Sequence, residues 1–289
     1  MVDIRQSIHY ANYLRHEGWV IERIAETNYF IKKLPLFGSI LKVQRPEEVR
    51  IDTIRQLARK YRVFQTIIEP NLEFDMRLLM ANGYSLSSSP YLPTKTLQID
   101  LTKSKDYIFR HFKKDARQAI RRATALSERS ESKGEETNNI KSYSTESEIK
   151  KFREEWQNSV NFKRFVPSLR TLINLRKSFP ANNSVFLASH NISSRIISGV
   201  IFTRSSHDIC YYWQAFTNSE GRTSLTQYSL LWEGLLWAKK MGCKIFDFEG
   251  IYDERFPNKS WLGFTHFKKS FGGTEISYPG CYTKLRFPI

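Results

Sequence analysis

The fold class of this chain is decided by residues 237–273, WAKKMGCKIFDFEGIYDERFPNKSWLGFTHFKKSFGG. An apolar-faced helix is predicted from about Ser224 to Met241, and it ends at Gly242, where a left-handed cap costs no steric strain. The run Ile-Phe-Asp-Phe at 245–248 is too short for a helix and rich in β-forming residues, so it predicts a buried strand. Open α/β sheets bind ligands beyond the carboxyl ends of their strands. The charged loop after this strand is therefore the first candidate for a functional site.

Length and composition indicate a globular, basic protein. The chain has 289 residues, enough for one large domain or two of ordinary size, and 40% hydrophobic residues exclude global disorder. Lysine and arginine number 45 against 29 acids, which gives a net charge of +16. This balance favours a polyanionic partner: nucleic acid, an anionic membrane surface or a phosphate-rich substrate. A basic surface that only aids solubility is the alternative.

Cysteine usage and hydropathy indicate the expected compartment. Cys210, Cys243 and Cys281 show no C-x-x-C spacing, so neither a disulfide framework nor a metal site is expected. The N-terminus lacks a signal-peptide pattern, and the most apolar stretch, 229–238, has about half the length of a membrane span. A cytoplasmic protein is expected, with peripheral contact at the inner face of the membrane left open.

One order of elements occurs twice along the chain. Each half is predicted to contain helices, a three-stranded meander, a further helix and buried strands, with the meanders at 19–43 and 185–216. Residues 127–145 have almost no apolar side chains and predict a polar linker. The prediction is an α/β (α+β) protein with domains at 1–126 and 146–289. Whether the last strand, near 275–282, packs back on the first domain is left open.

The motif after the buried strand resembles that of a known family. Asp-Phe-x-Gly at 247–250, followed by Gly-x-x-x-Phe-Lys-x-x-Phe-Gly-Gly at 263–273, is similar to the signature of the Fem family of FemABX-type peptidyltransferases. The likeness extends upstream to the strand at 96–101 and the basic helix FRHFKKDARQAIRRA at 109–123. The resemblance implies two tandem acetyltransferase-like (GNAT) domains. No heptad run is present for the coiled-coil arm that some Fem proteins carry.

The resemblance also implies an activity. Fem enzymes move an amino acid from aminoacyl-tRNA onto the stem-peptide amine of a peptidoglycan precursor, either lipid II or a UDP-MurNAc-peptide, to form a bridge or branch. Phe267 and Lys268 match the functional Phe-Lys pair of the family and are the predicted catalytic residues. Aminoacyl transfer passes through a tetrahedral oxyanion, which a fixed cation stabilises by several kcal/mol. A surface lysine beside a core phenylalanine is the alternative.

Seven further residues are predicted to bind substrate. Family members often grip substrate phosphates with an arginine that precedes a tyrosine by four residues; Arg164 fits the arginine, but Ser168 stands where the tyrosine is expected. The others are a lysine of the first domain, two aromatic residues of a predicted strand, and charged residues around the strand end: Lys33, Tyr211, Trp213, Asp247, Glu249 and Arg255. The alternatives to substrate binding are that the aromatic residues pack in the core and that the carboxylates cap the loop.

The residues predicted to bind tRNA lie on a helix from Lys105 to about Ala125. Apolar residues recur on one side at helical spacing, and basic residues fall elsewhere: Arg110, Lys113, Lys114, Arg117 and Arg121. Phosphates spaced along RNA suit such a stripe. An ordinary solvated helix surface is the alternative.

No cofactor and no stable protein partner are predicted. An acetyl-CoA enzyme would carry a Gln/Arg-x-x-Gly-x-Gly/Ala loop before its main helix, whereas residues 219–224 are Ser-Glu-Gly-Arg-Thr-Ser. Two other functions stay open. One is a GNAT-fold acyltransferase that uses acetyl-CoA or charged tRNA on a protein or lipid amine. The other is a non-catalytic tRNA-binding protein.

Overall fold

The computed structural model describes residues 2–72, 74–131, 140–160, 164–205 and 208–286. The strands in these ranges are β1 (Val20–Ile24), β2 (Thr27–Leu34), β3 (Gly38–Gln44), β4 (Val63–Glu69), β5 (Ser85–Leu86), β6 (Lys95–Asp100), β7 (Ile140–Tyr143), β8 (Ser184–His190), β9 (Ile196–Arg204), β10 (Ile209–Thr217), β11 (Ile245–Asp247), β12 (Thr274–Ser277) and β13 (Tyr282–Leu285). The α-helices are α1 (Ile8–His16), α2 (Ile51–Lys60), α3 (Met76–Ala81), α4 (Lys105–Arg110), α5 (Lys114–Glu131), α6 (Glu146–Ser159), α7 (Leu169–Ser178), α8 (Ser219–Thr223), α9 (Thr226–Lys240) and α10 (Leu262–Lys269).

The strands form two mixed sheets. The first has the order β1-β2-β3-β4-β13-β5 and the second the order β12-β6-β11-β10-β9-β8-β7. Parallel neighbours need a crossover between them. In the first sheet α2 connects the parallel pair β3 and β4, and in the second α8 and α9 connect the parallel pair β10 and β11. The predicted α/β fold class is therefore confirmed.

The chain divides into two compact units that share its length unevenly. The first unit comprises Met1–Thr96, Gly250–Leu262 and Glu275–Ile289, and the second comprises Leu97–Glu249 and Gly263–Thr274. These bounds differ from the predicted domains 1–126 and 146–289. The basic helices α4 and α5 belong to the second unit, where the apolar side of α5 packs against α9. Of the predicted linker 127–145, α5 extends to Glu131 and β7 begins at Ile140, and residues 132–139 lie outside the described residues.

The core of the first unit lies between α2 and the first sheet. Ile54, Leu57 and Ala58 of α2 share one helix side and are buried in a cluster with strand residues such as Leu41 and Val43. The last strand belongs to this sheet, since β13 pairs with both β4 and β5. The strand predicted near 275–282 is thus two strands in different sheets. The break between them is Pro279-Gly280, where Gly280 has a φ of 115°.

The basic helix predicted over 105–125 is interrupted. α4 ends at Arg110 and α5 begins at Lys114. At the interruption the backbone N–H of Lys113 donates to the carbonyl of Ser270 at 2.7 Å, and the ring of Phe112 packs edge-on against Phe271 at 5.0 Å. Tertiary contacts with the end of α10 therefore replace helix hydrogen bonds at a point where the sequence has no breaker residue. Within the described ranges, no helix is long and apolar enough to cross a membrane.

Candidate active site

The candidate site begins where two parallel strands of the second sheet part. β10 and β11 pair only over Ile209–Tyr211 and Ile245–Asp247. β11 ends at Asp247, whereas β10 continues to Thr217. The register of β10 against β9 also shifts between Tyr212 and Gln214, which is a bulge that bends the strand. The backbone after Asp247 is therefore no longer paired with β10.

Lys268 of α10 occupies the position left by this separation. Its Nζ donates a hydrogen bond to the carbonyl oxygen of Phe248 at 2.7 Å. The same atom lies 5.6 Å from the ring centre of Tyr212 and 5.0 Å from that of Phe264, within the range of cation–π attraction. Only 6% of Lys268 is exposed, while Lys269 is partly exposed. The helix thus directs one lysine of the pair inward, and it is the lysine that the motif predicts.

Burial changes the acid–base behaviour of this lysine. Desolvation of the ammonium group lowers the pKa of Lys268 from 10.5 to about 8, and the nearby carboxylates of Glu249 and Asp247 act in the opposite direction. At neutral pH the side chain is therefore mainly a cation. It can also exchange its proton near physiological pH, which an exposed lysine does not do.

The strand-end carboxylates hold the backbone in place. Asp247 is buried; its Oδ1 accepts from the N–H of Glu249 at 2.7 Å and its Oδ2 accepts from Nε2 of Gln98 at 2.8 Å. Glu249 has a φ of 54°, a left-handed conformation that these contacts support. Asp247 therefore positions the turn that carries the Phe248 carbonyl, which corresponds to the loop-capping alternative left open by the sequence.

A cavity of about 860 Å³ lies beside Lys268 in the second unit. Tyr212 and Phe264, whose rings contact the Lys268 ammonium, both line it, and so does the predicted catalytic Phe267. Six of the further lining residues are aromatic or cationic: Trp156, Arg164, Phe165, Phe216, Arg222 and Tyr228. The volume is in the range of ligand-binding cavities. Two positive guanidinium groups among aromatic rings suit an anionic ligand with a flat or apolar part.

The two predicted aromatic contacts on β10 are displaced by one residue. Tyr211 is 2% exposed and belongs to the core, whereas Tyr212 lines the cavity and its hydroxyl donates to Oε1 of Gln227 at 3.4 Å. Trp213 lies at the bulge, where the register of β10 against β9 shifts between Tyr212 and Gln214. Alternation places Tyr211 and Tyr212 on opposite faces of the strand but does not tell which face borders the cavity, and the bulge beyond Tyr212 cannot be recognised from the sequence.

Of the other predicted substrate residues, Arg255 and Lys33 lie in the first unit and Arg164 lies in the second. Arg255 forms an ion pair with Asp253 at 2.7 Å and donates to the carbonyl oxygens of Thr94 and Tyr278, so it ties three loops of that unit together. Lys33 is exposed near the end of β2, with its ammonium 5.9 Å from the ring centre of Tyr61. Arg164 lines the cavity of the second unit, and Ser168 caps α7 by accepting from the N–H of Thr171 at 3.0 Å.

The predicted tRNA-binding residues form an exposed basic strip on α4 and α5. Arg110, Lys113, Lys114 and Arg121 are exposed. Arg117 is partly buried, and its Nη1 donates to the carbonyl of Arg110 at 2.9 Å, which caps the end of α4. Four of the five predicted residues therefore have the exposure that phosphate contact needs.

Sequence reasoning missed three polar residues of the cavity, Arg222, Gln227 and Tyr228. All lie at the start of the long apolar helix α9 or just before it. The available signal was the placement of polar side chains around the first turn of an otherwise apolar helix. In the described ranges, no group of three or more His, Cys, Asp or Glu side chains is arranged to hold a metal ion.

Comparisons with known proteins place this geometry in a fold class. No protein-family model matches the sequence, and no curated protein matches it. Among solved structures, the crystal structure of FemX has a TM-score of 0.79 at 14% identity, covering 98% of this chain and 92% of that one. L-PGS from Bacillus licheniformis has a TM-score of 0.58 at 14% identity, covering 95% and 86%. A tandem GNAT protein of the clavulanic acid biosynthesis pathway has a TM-score of 0.53 at 10% identity, covering 98% and 88%.

These likenesses establish the fold. The chain has the tandem GNAT-like architecture that FemX and the clavulanic acid pathway protein share, over nearly its whole length. The resemblance to the Fem family predicted from the motif at 247–273 is thus confirmed at the level of the fold. At these sequence identities the structural similarity does not identify a substrate, so the activity has to be argued from the site.

Proposed function

We propose that this chain is an aminoacyltransferase that moves an amino acid from aminoacyl-tRNA to the stem-peptide amine of a peptidoglycan precursor. The observation that carries the proposal is the buried Lys268 ammonium, held by the Phe248 carbonyl at the end of β11 and bordered by two aromatic residues of the cavity. Its support is the FemX-like fold together with the Phe-Lys motif at 267–268 that resembles the Fem signature.

In the proposed reaction the acceptor amine attacks the ester carbonyl of the aminoacyl-tRNA. A C–N bond forms, the C–O bond to the terminal ribose breaks, and the proton lost by the amine is taken up by the departing ribose oxygen. Lys268 would stabilise the negative charge that develops on the carbonyl oxygen. A lysine with a pKa of about 8 would also be able to pass a proton toward the leaving oxygen.

The substrates would be held by the cationic groups around the cavity and on α4–α5. Arg164 and Arg222 line the cavity and suit the phosphate groups of lipid II or of a UDP-MurNAc-peptide. The exposed residues of the basic strip suit the tRNA backbone. Lys33 in the first unit is a further proposed phosphate contact. We propose a cytoplasmic site of action, where charged tRNA and both precursor forms are accessible.

The local structure before α9 argues against acetyl-CoA as the donor. The N–H of Gly221 donates to Oδ1 of Asn218 at 2.8 Å, and those of Arg222, Ser224 and Leu225 donate to carbonyls within the same turn. A pyrophosphate-binding loop needs such amides directed at the ligand. A Cβ on Gly221 would lie 2.3 Å from Oγ of Ser198, so this glycine serves close packing against β9.

The test is transfer of a labelled amino acid from a charged tRNA pool to lipid II and to UDP-MurNAc-pentapeptide, each with and without Lys268→Ala. We expect transfer to one of the acceptors, lost in the variant. Absence of transfer to both acceptors would overturn the proposal.

A second candidate function is supported by the likeness to L-PGS. In this alternative the acceptor is a lipid, and the same charged tRNA pool would label phosphatidylglycerol vesicles instead. A non-catalytic tRNA-binding protein would bind tRNA equally whether or not it is charged and would show no turnover on any acceptor.

A further inference from the structure

The tip of the hairpin between β2 and β3 exposes two large apolar side chains. Leu36 is 101% exposed and Phe37 is 71% exposed. Single exposed apolar residues are common on protein surfaces, but adjacent ones at a projecting turn form a compact apolar point. Folding of the first unit gains nothing from these two side chains, because neither is buried by it.

The backbone of the turn makes leucine an unfavourable choice at this position. The N–H of Phe37 donates to the carbonyl of Leu34, which closes a four-residue turn with Pro35 second and Leu36 third. Leu36 has a φ of 71°. A proline followed by a residue with positive φ is the pattern of a type II turn, in which glycine or asparagine normally fills the third position. Leucine therefore occupies this position against the local conformational preference, which points to a role outside the fold.

Cationic side chains surround this apolar tip. Arg62 is exposed, and its carbonyl accepts from the N–H of Ser39 at 3.1 Å, at the start of β3. Arg59 is exposed in the last turn of α2, next to Arg62, and Lys33 is exposed just before the tip. Glu22, a nearby acid, is already paired with Lys60 at 2.7 Å. The tip thus combines exposed apolar side chains with an excess of positive charge.

A further apolar residue lies at the same end of the first sheet. β13 runs antiparallel to β4, so its last residues lie beside the start of β4, with Leu285 paired to Gln65. Leu285 is exposed, and the N–H of the following Arg286 donates to the carbonyl of Phe64 at 2.6 Å. Leu285 thus adds a third exposed apolar side chain to this end of the sheet.

We propose that this hairpin tip is a membrane-contact site, at which Leu36 and Phe37 insert into the interface of an anionic lipid bilayer while Lys33, Arg59 and Arg62 bind the headgroup phosphates. Insertion removes the two exposed apolar side chains from water, and the surrounding cations are attracted to the negative surface potential. RNA accounts for only one of the two side chains, because a base can stack on the ring of Phe37 but finds no stacking surface on the aliphatic Leu36. The site shares Lys33 with the proposed substrate contacts, but Leu36, Phe37, Arg59 and Arg62 have no part in the proposed transfer.

The experiment measures binding of the full chain to vesicles by co-sedimentation. The vesicles are phosphatidylcholine alone, or phosphatidylcholine with roughly one third phosphatidylglycerol. The wild type is expected to bind the anionic vesicles, and less so as salt is raised. The variant Leu36→Asn/Phe37→Ser is expected to bind about tenfold or more weakly, because it removes the two inserting side chains. Its melting temperature is expected to be unchanged or higher, since asparagine tolerates the positive φ.

Two further variants separate the contributions. Leu78→Gln/Met80→Gln removes two exposed apolar side chains from α3 and is expected to bind as the wild type does. Arg59→Gln/Arg62→Asn is expected to lose the preference for anionic over neutral vesicles. The proposal is overturned if the wild type does not bind anionic vesicles, or if Leu36→Asn/Phe37→Ser binds them as strongly as the wild type.

Discussion

At the scale of the residue, Lys268 shows how a strand end can hold a charge inside a protein. A buried ammonium group needs hydrogen-bond acceptors, and the Phe248 carbonyl becomes one because β11 stops pairing with β10 just before it. The motif predicted the inward lysine of α10, since adjacent helix residues point about 100° apart. It did not predict the carbonyl partner, because the separation of the strands is a tertiary feature.

The two adjacent lysines give the first prediction. Lys268→Ala should lower single-turnover aminoacyl transfer by about 10²–10³, because it removes a cation at the developing oxyanion. Lys269→Ala is the matched control, and its turnover should stay close to that of the wild type. Both are measured at saturating donor, so that a loss of affinity does not mimic a loss of chemistry. Equal losses in the two variants would contradict the assignment of Lys268.

The lowered pKa of Lys268 predicts the pH dependence of transfer. The cation is present below its pKa of about 8 and is lost above it. The acceptor amine attacks only when neutral, but its titration is common to both enzymes, so the turnover of the wild type is divided by that of Lys268→Arg. This ratio should be level near neutral pH and then fall about tenfold per pH unit on the alkaline side. Lys268→Arg keeps a positive charge throughout this range, so its reduced activity should show no such fall. A persistent alkaline fall in Lys268→Arg would assign the titration to another group.

At the scale of the element, the sequence predicted most helices and strands but missed their interruptions. The apolar periodicity of α5 identified its buried side, with Ala116, Ala119 and Ile120 all buried as expected. The break before α5 was missed because it depends on the backbone hydrogen bond from Lys113 to Ser270. Local helix propensity cannot predict a hydrogen bond between residues so far apart in the sequence. The bulge in β10 was missed for the same reason, whereas the choice between Tyr211 and Tyr212 failed because alternation does not tell which face of a strand borders a cavity.

Two helix glycines with different surroundings give an element-scale prediction. A Cβ at Gly234 of α9 would lie 2.0 Å from the ring of Phe202, so Gly234→Ala should destabilise the protein by about 1–3 kcal/mol through overpacking. A Cβ at Gly263 of α10 meets nothing within 4 Å, so Gly263→Ala should stabilise it by up to about 1 kcal/mol. Urea unfolding midpoints measure both changes. A shift of the same sign in both would contradict the packing described for α9.

At the scale of the whole molecule, the net charge of +16 predicts salt-sensitive binding of RNA. Lys113→Gln/Lys114→Gln removes two cations of the basic strip and should lower the slope of log affinity against log salt by about 0.7–0.9 per lost phosphate contact. Arg15→Gln/Arg77→Gln removes the same charge from exposed positions of the first unit. That control should leave the slope almost unchanged. Equal effects would mean that RNA responds to total charge and not to the strip on α4–α5.

The division of the molecule into units was the least predictable feature. The repeated order of elements indicated two similar halves, and both sheets contain the expected crossover to a parallel strand. The sequence also suggested one boundary in the polar segment 127–145. In the structure the chain instead passes from one unit to the other four times, after residues 96, 249, 262 and 274. These crossings cannot be predicted from local composition, because each of them lies within an ordinary strand or loop.

The position of β13 between β4 and β5 also sets the order of events while the protein is being made. The ribosome releases the N-terminal strands first, but the strand that joins β4 to β5 emerges only after the whole second unit. At about 5–20 residues per second, this delay is on the order of ten seconds or more. During that time β4 keeps one unpaired edge, which can recruit strands from other chains. Chaperones are therefore expected to matter most for this protein during synthesis, while the edge of β4 in the first unit is still unpaired.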